Sequence, residues 1–137
     1  DQRGCGLSDW AAEDLSFAAR MLDLEAVVDA TGLDRFALLG ISQGAACAIE
    51  YAVRYPERVT HLVLYGAFGL GFSKIEHTQE ELAEREALLT LMRQGWGSNE
   101  PIYRQIFTTR FMPGASTEQM EWFNELQRVS LSDRIIV

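Results

Sequence analysis

The stretch Phe36-Ala37-Leu38-Leu39-Gly40-Ile41-Ser42-Gln43-Gly44-Ala45-Ala46 decides how the rest of the chain is read. Its first part, from Arg35 to Ile41, is apolar without alternation and too short for a helix, the pattern of a parallel strand buried on both faces. Its last part opens a run from Gln43 to Tyr55 in which Ala45, Ala46 and Ala48 allow a helix to approach a sheet closely, and Pro56 ends it. Between the two, Gly40-Ile41-Ser42-Gln43-Gly44 has the form Gly-x-Ser-x-Gly. A chain that turns this sharply from strand into helix leaves the serine at the apex with strained dihedrals. Gly40 and Gly44 are expected to remove side chains that would collide there. The Gln43 backbone N–H, at the start of the helix, faces the apex and is the expected oxyanion-hole donor for a tetrahedral centre built on Ser42. The chemistry implied is acyl transfer through Ser42; a serine that only caps the helix gives a similar fold without catalysis.

Outward from this turn, His61-Leu62-Val63-Leu64-Tyr65 reads as a second strand running into Gly66, so strand, helix and strand make a right-handed parallel crossover. On the amino-terminal side, Phe17, Met21, Leu24 and Val28 recur at helical spacing between Ser16 and Thr31, with Gly32 as a left-handed stop. Residues Asp1 to Ala12, with Gly4, Gly6, Ser8 and Asp9, read as a loop. Beyond Gly71 three helices are expected: Gln79 to Gln94, Pro101 to Phe111, and one opened by the capping-box spacing of Ser116-Thr117-Glu118-Gln119. In the last, Phe123, Leu126 and Val129 share a face, and Trp96, Phe107, Phe111 and Trp122 add large apolar surfaces to a lid-like cluster. The expected fold class is α/β, with a core segment over residues 1–70 and a helical lid (cap) over residues 71–137.

The chain has 137 residues, 47% of them hydrophobic, enough for the core of one globular domain, and a formal net charge of −8 with no local cluster of Lys or Arg. Such a surface repels a phosphate backbone, which argues against a nucleic-acid partner. No apolar run approaches the ~20 residues that a membrane-spanning helix needs, and no basic and hydrophobic leader opens the chain. Cys5 and Cys47 stand in unrelated segments without metal-type spacing, so the expectation is free thiols in a reducing, cytoplasmic compartment, with no metal and no cofactor.

Four blocks resemble the α/β-hydrolase superfamily: Asp1-Gln2-Arg3-Gly4-Cys5-Gly6-Leu7-Ser8, the loop after that family's fourth strand; Leu38 to Gly44, its nucleophile elbow; Tyr55-Pro56-Glu57-Arg58-Val59; and Leu62-Val63-Leu64. Leu64-Tyr65-Gly66-Ala67-Phe68 and the helices after it look most similar to hydrolase-like domains of some bacterial transcription regulators and adenylate cyclases. The resemblance implies a serine esterase-like mechanism on a small acyl substrate, and the serine argues against the branches that use aspartate at this position. It also implies that this chain is the middle of the fold, with the catalytic acid and histidine after Val137 and the second oxyanion donor before Asp1.

Of the two histidines, His61 opens the second strand, ~15–20 Å from the end that carries Ser42, and is excluded as its base. His77 precedes the lid and reads as an exposed surface residue; Glu80, Glu81, Glu84 and Glu86 read as a solvated face. Two strands alone leave unpaired edges, so self-association or additional chain segments are expected as partners. A non-catalytic module holding a small apolar ligand is the competing reading, and an interaction domain built on the helices is a third.

Overall fold

The computed structural model describes residues 1–95 and 100–130, in two compact units: residues 14–76, and residues 1–13 with 77–137. In the first, α1 (Phe17–Thr31), β1 (Phe36–Ile41), α2 (Gly44–Arg54) and β2 (Val59–Tyr65) follow in order, and a short 3-10 turn spans Phe72–Lys74. Ser16 caps α1 by accepting the Ala19 N–H at 3.2 Å, and Gly32 ends it with φ 66°. β1 and β2 are parallel, with Ala37 opposite His61 and Ile41 opposite Tyr65; an irregularity between Phe36 and Ala37 takes up the extra residue Thr60.

One face of this ribbon packs on the helices. Met21 and Val28 of α1, with Cys47 and Tyr51 of α2, form the buried cluster, and Leu24, Phe36, Leu38, Tyr55 and Val59 close around it. The Phe36, Tyr51 and Tyr55 rings pack in sequence, tilted to one another, with centroids 5.8 and 4.8 Å apart. Around the rim, Arg54 reaches Glu25 at 3.3 Å and Arg58 reaches Asp29 at 3.1 Å and the Leu33 carbonyl at 2.9 Å, which aligns α1 with α2. Such half-exposed pairs orient more than they stabilise.

The strands are not buried on both faces as the apolar run suggested. Register places Leu39, Ile41, Val63 and Tyr65 on the face away from α1 and α2, where they remain 57%, 55%, 53% and 73% exposed. Within this unit two helices cover one side of the ribbon, and no described element of the unit covers the other.

The second unit contains the loop of residues 1–13 and helices α3 (Gln79–Gly95), α4 (Pro101–Phe111) and α5 (Thr117–Ser130). The Gly6 N–H donates to the Ser130 carbonyl at 2.8 Å and fastens the loop to the end of α5. The expected capping box forms: Ser116 N–H donates to Gln119 Oε1 at 2.8 Å and Gln119 N–H to Ser116 Oγ at 3.3 Å. A second one forms where only a solvated carboxylate was expected, between Thr78 and Glu81, whose Oε2 accepts the Thr78 N–H at 2.8 Å.

The contact between α4 and α5 is polar. The Thr108 hydroxyl donates to Asn124 Oδ1 at 2.5 Å and accepts from Gln127 Nε2 at 2.6 Å, and Asn124 Nδ2 donates to Gln105 Oε1 at 2.8 Å. Phe111 and Trp122, read as cluster residues, are 59% and 63% exposed, because the inner positions belong to these amides. Trp96 lies outside the described residues.

Tyr51 supplies a test of the first unit's core. Its hydroxyl is buried without a hydrogen-bond partner, and burial pushes its ionisation above the ordinary tyrosine value. An unfolded chain sheds that proton at a lower pH than the folded one, so stability falls as pH rises past about 10. In urea melts, Tyr51→Phe is expected to blunt that fall, and at neutral pH to cost no more than about 0.5 kcal/mol, since an unpaired hydroxyl contributes little.

Candidate active site at the strand-to-helix turn

Ser42 follows the last residue of β1 and precedes α2, and it is the only non-glycine among the described residues with positive φ, at 50°. That conformation costs an L-residue about 1–2 kcal/mol. Two hydrogen bonds hold it: the Ser42 N–H donates to the Tyr65 carbonyl at 2.9 Å, and the Ser42 carbonyl accepts the Ala45 N–H at 3.0 Å. The first continues the strand ladder one residue beyond β1, and the second begins the helix. Ser42 is therefore pinned between two regular elements that require opposite backbone directions, and its side chain projects into solvent.

Gln43 occupies the N-cap position of α2 and is exposed; its N–H has no acceptor among the described residues. A free donor beside the serine, at the positive end of a helix, is the local feature an oxyanion hole requires.

The two elbow glycines are not equivalent. A Cβ on Gly40 would stand 2.7 Å from both Ala45 Cα and Ala48 Cβ, so the absent side chain is what lets α2 lie against β1. A Cβ on Gly44 would meet nothing within 4 Å, so the crowding expected there is absent.

His61 lies opposite Ala37, five residues before Ser42, a separation of about 16 Å along an extended strand. Its Nδ1 sits 3.2 Å from Thr60 Oγ1, and it takes no part in the turn. His77 belongs to the other unit and is not the exposed residue expected: its side chain is 14% exposed, with Nδ1 3.9 Å from Glu81 Oε2. The Thr78 N–H holds the Glu81 carboxyl below its ordinary pKa. Glu84 and Glu86 pair with Arg110 and Arg93 at 3.0 and 3.3 Å. The spacing Thr78-Gln79-Glu80-Glu81 could have revealed the capping role. Among the described residues no three His, Cys, Asp or Glu side chains gather as a metal centre would need, and no helix is long and apolar enough to cross a membrane. Among the described residues Cys5 and Cys47 form no disulfide, and burial pushes the Cys47 thiol up.

A parallel strand, a serine at positive φ and a helix with a free N–H at its start are what a strand-to-helix turn of the α/β-hydrolase fold contains. Residues 1–107 match the family described as alpha/beta hydrolase fold, and the chain belongs to that family. It is 35% identical over 106 residues, 75% of its length, to the protein named "Putative carbamate hydrolase RutD" from Escherichia coli O81 (strain ED1a), and equally to that of Shigella flexneri. It spans 38% of the length of these relatives. An esterase from Exiguobacterium antarcticum superposes with a TM-score of 0.75 at 24% identity, over 99% of this chain and 51% of the esterase.

The unequal glycines give a direct test. Gly40→Ala forces α2 away from β1 and is expected to lower unfolding free energy by about 1–3 kcal/mol, the cost of overpacking. Gly44→Ala, in the first turn of α2, is expected to stay within about 0.5 kcal/mol of the parent. Equal losses in denaturant melts would contradict this account of the turn.

Proposed function

We propose that Ser42 is the nucleophile of a serine hydrolase acting on carboxylic esters or related acyl compounds. The observation that carries this reading is the exposed serine at positive φ beside a free Gln43 N–H. The Ser42 hydroxyl oxygen adds to the acyl carbonyl and its proton passes to a base. The carbonyl oxygen becomes the oxyanion that the Gln43 N–H stabilises, and collapse breaks the bond to the leaving group, which takes the proton from the base, to give acyl-Ser42. Water then adds to the acyl-Ser42 carbonyl, giving its proton to the same base, and collapse breaks the bond to Ser42 Oγ, which takes that proton back as the acid product leaves. The name of the RutD relatives extends the acyl class to carbamates, whose carbonyl undergoes the same addition.

Neither His61 nor His77 is assigned as the base, and this chain alone is proposed to be weakly active or inactive. Residues 1–70 supply the core segment in this reading, and residues 71–137 a lid. The distance of His61 from the turn favours, as second reading, a module that binds a small apolar ligand without turning it over.

Acylation separates the two readings if the base is supplied from solution. With p-nitrophenyl acetate and added imidazole, peptide mass spectrometry is expected to find acetyl on Ser42, rising with imidazole concentration, while without imidazole the adduct is weak or absent. Ser42→Ala removes it. Acetyl spread over other residues at the same rate in parent and variant would sink the nucleophile assignment and leave the binding module.

A further inference from the structure

Helix α5 carries its apolar stripe on the outside. Trp122, Leu126 and Val129 stand at i, i+4 and i+7, on one line about 10 Å long. They are 63%, 40% and 46% exposed, while the opposite face of the helix buries Asn124 and Gln127 against Thr108 of α4. The usual arrangement, apolar in and polar out, is reversed, and the amide network fixes the reversal. Turning α5 over would strip Asn124 and Gln127 of their buried hydrogen bonds.

The stripe has a charged border. Glu118 and Glu125 lie within about 70° of its centre at 100° per residue, and Glu121 lies beyond them on the same flank. All three are exposed; Glu125 is held by Arg128 at 2.6 Å, whereas Glu118 and Glu121 have no partner among the described residues. On a chain of net charge −8 this border attracts cations and repels an acidic surface. Trp122, at the head of the line, is of a residue type enriched among the side chains that carry most of the energy of protein interfaces.

We propose that this face of α5 docks a basic amphipathic helix from a partner protein. Leucine-type side chains at three- and four-residue spacing pack along Trp122, Leu126 and Val129, and Lys or Arg beside them pairs with Glu118 and Glu121. A second copy of this chain fits less well, because its own α5 presents the same carboxylates.

The test uses the whole chain and a synthetic helical peptide of leucine and lysine, with the leucines at three- and four-residue spacing. Calorimetric titration is expected to show saturable binding that weakens as salt is raised. Trp122 emission is expected to shift to the blue, a change missing in Trp122→Phe, which keeps Trp10 and Trp96. Leu126→Lys, and separately Glu118→Lys with Glu121→Lys, weaken binding about tenfold or more; these positions are exposed, and circular dichroism checks that the helices persist. Ser42→Ala and the sheet-face variant Val63→Lys bind as the parent does. The proposal is overturned by absence of saturable binding, by α5 variants that bind like the parent, by loss of binding in Val63→Lys alone, or by a dimer in sedimentation that Leu126→Lys dissociates.

Discussion

The constraint on which the functional reading depends is the backbone at Ser42. A residue at φ 50° is unfavourable for any L-side chain except as a turn that its surroundings hold in place. Here the surroundings are the ladder bond from Ser42 to Tyr65 and the first helical bond from Ala45 to Ser42. Because β2 lends the carbonyl and α2 the amide, the turn exists only while strand pairing and helix docking are both intact. Gly40 makes the docking possible, and the Met21, Val28, Cys47 and Tyr51 cluster sustains it on the same face of the strand. The strain is local, and burial in the first unit offsets it.

The two units are built on different chemistry. The first relies on apolar and aromatic contacts on one face of a two-stranded ribbon, with ion pairs at its rim. The second relies on capping boxes at α3 and α5 and on a hydrogen-bonded layer between α4 and α5. A buried layer of amides and a hydroxyl adds little net stability per bond, yet it penalises every misaligned pairing of the two helices, since each loses satisfied polar groups. This layer leaves apolar surface on the outside of α5; in the first unit, apolar surface remains on the ribbon face away from α1 and α2.

Much of the fold was legible because it rests on local patterns. The strand, turn and helix from Phe36 to Arg54 are encoded by a short apolar run, two glycines and a small-residue helix, and the structure reproduces that order, with Gln43 as the cap and not the first helical residue. Gly32 and the Ser116 box mark helix ends that propensity alone would leave vague. What stayed hidden depends on partners distant in sequence. An apolar strand looks the same whether one face or two are covered, so the exposure of Leu39 and Ile41 could not be read from it. Helical spacing shows that Leu126 and Val129 share a face and does not reveal which way that face turns; the answer lies with Thr108 on another helix. The turn shows the same division: the places of Ser42 and Gln43 between strand and helix were readable from five residues, whereas the open space around Gly44 depends on how the helix lies against the sheet.

The most direct test of the account is an experimental determination of the backbone at Ser42, by crystallography or by residual dipolar and three-bond couplings in solution. The expected result is φ close to 50°, with the Ser42 N–H bonded to the Tyr65 carbonyl and the Gln43 N–H free of any protein acceptor. A negative φ, with β1 running smoothly into α2 and the serine acting only as a cap, would contradict it.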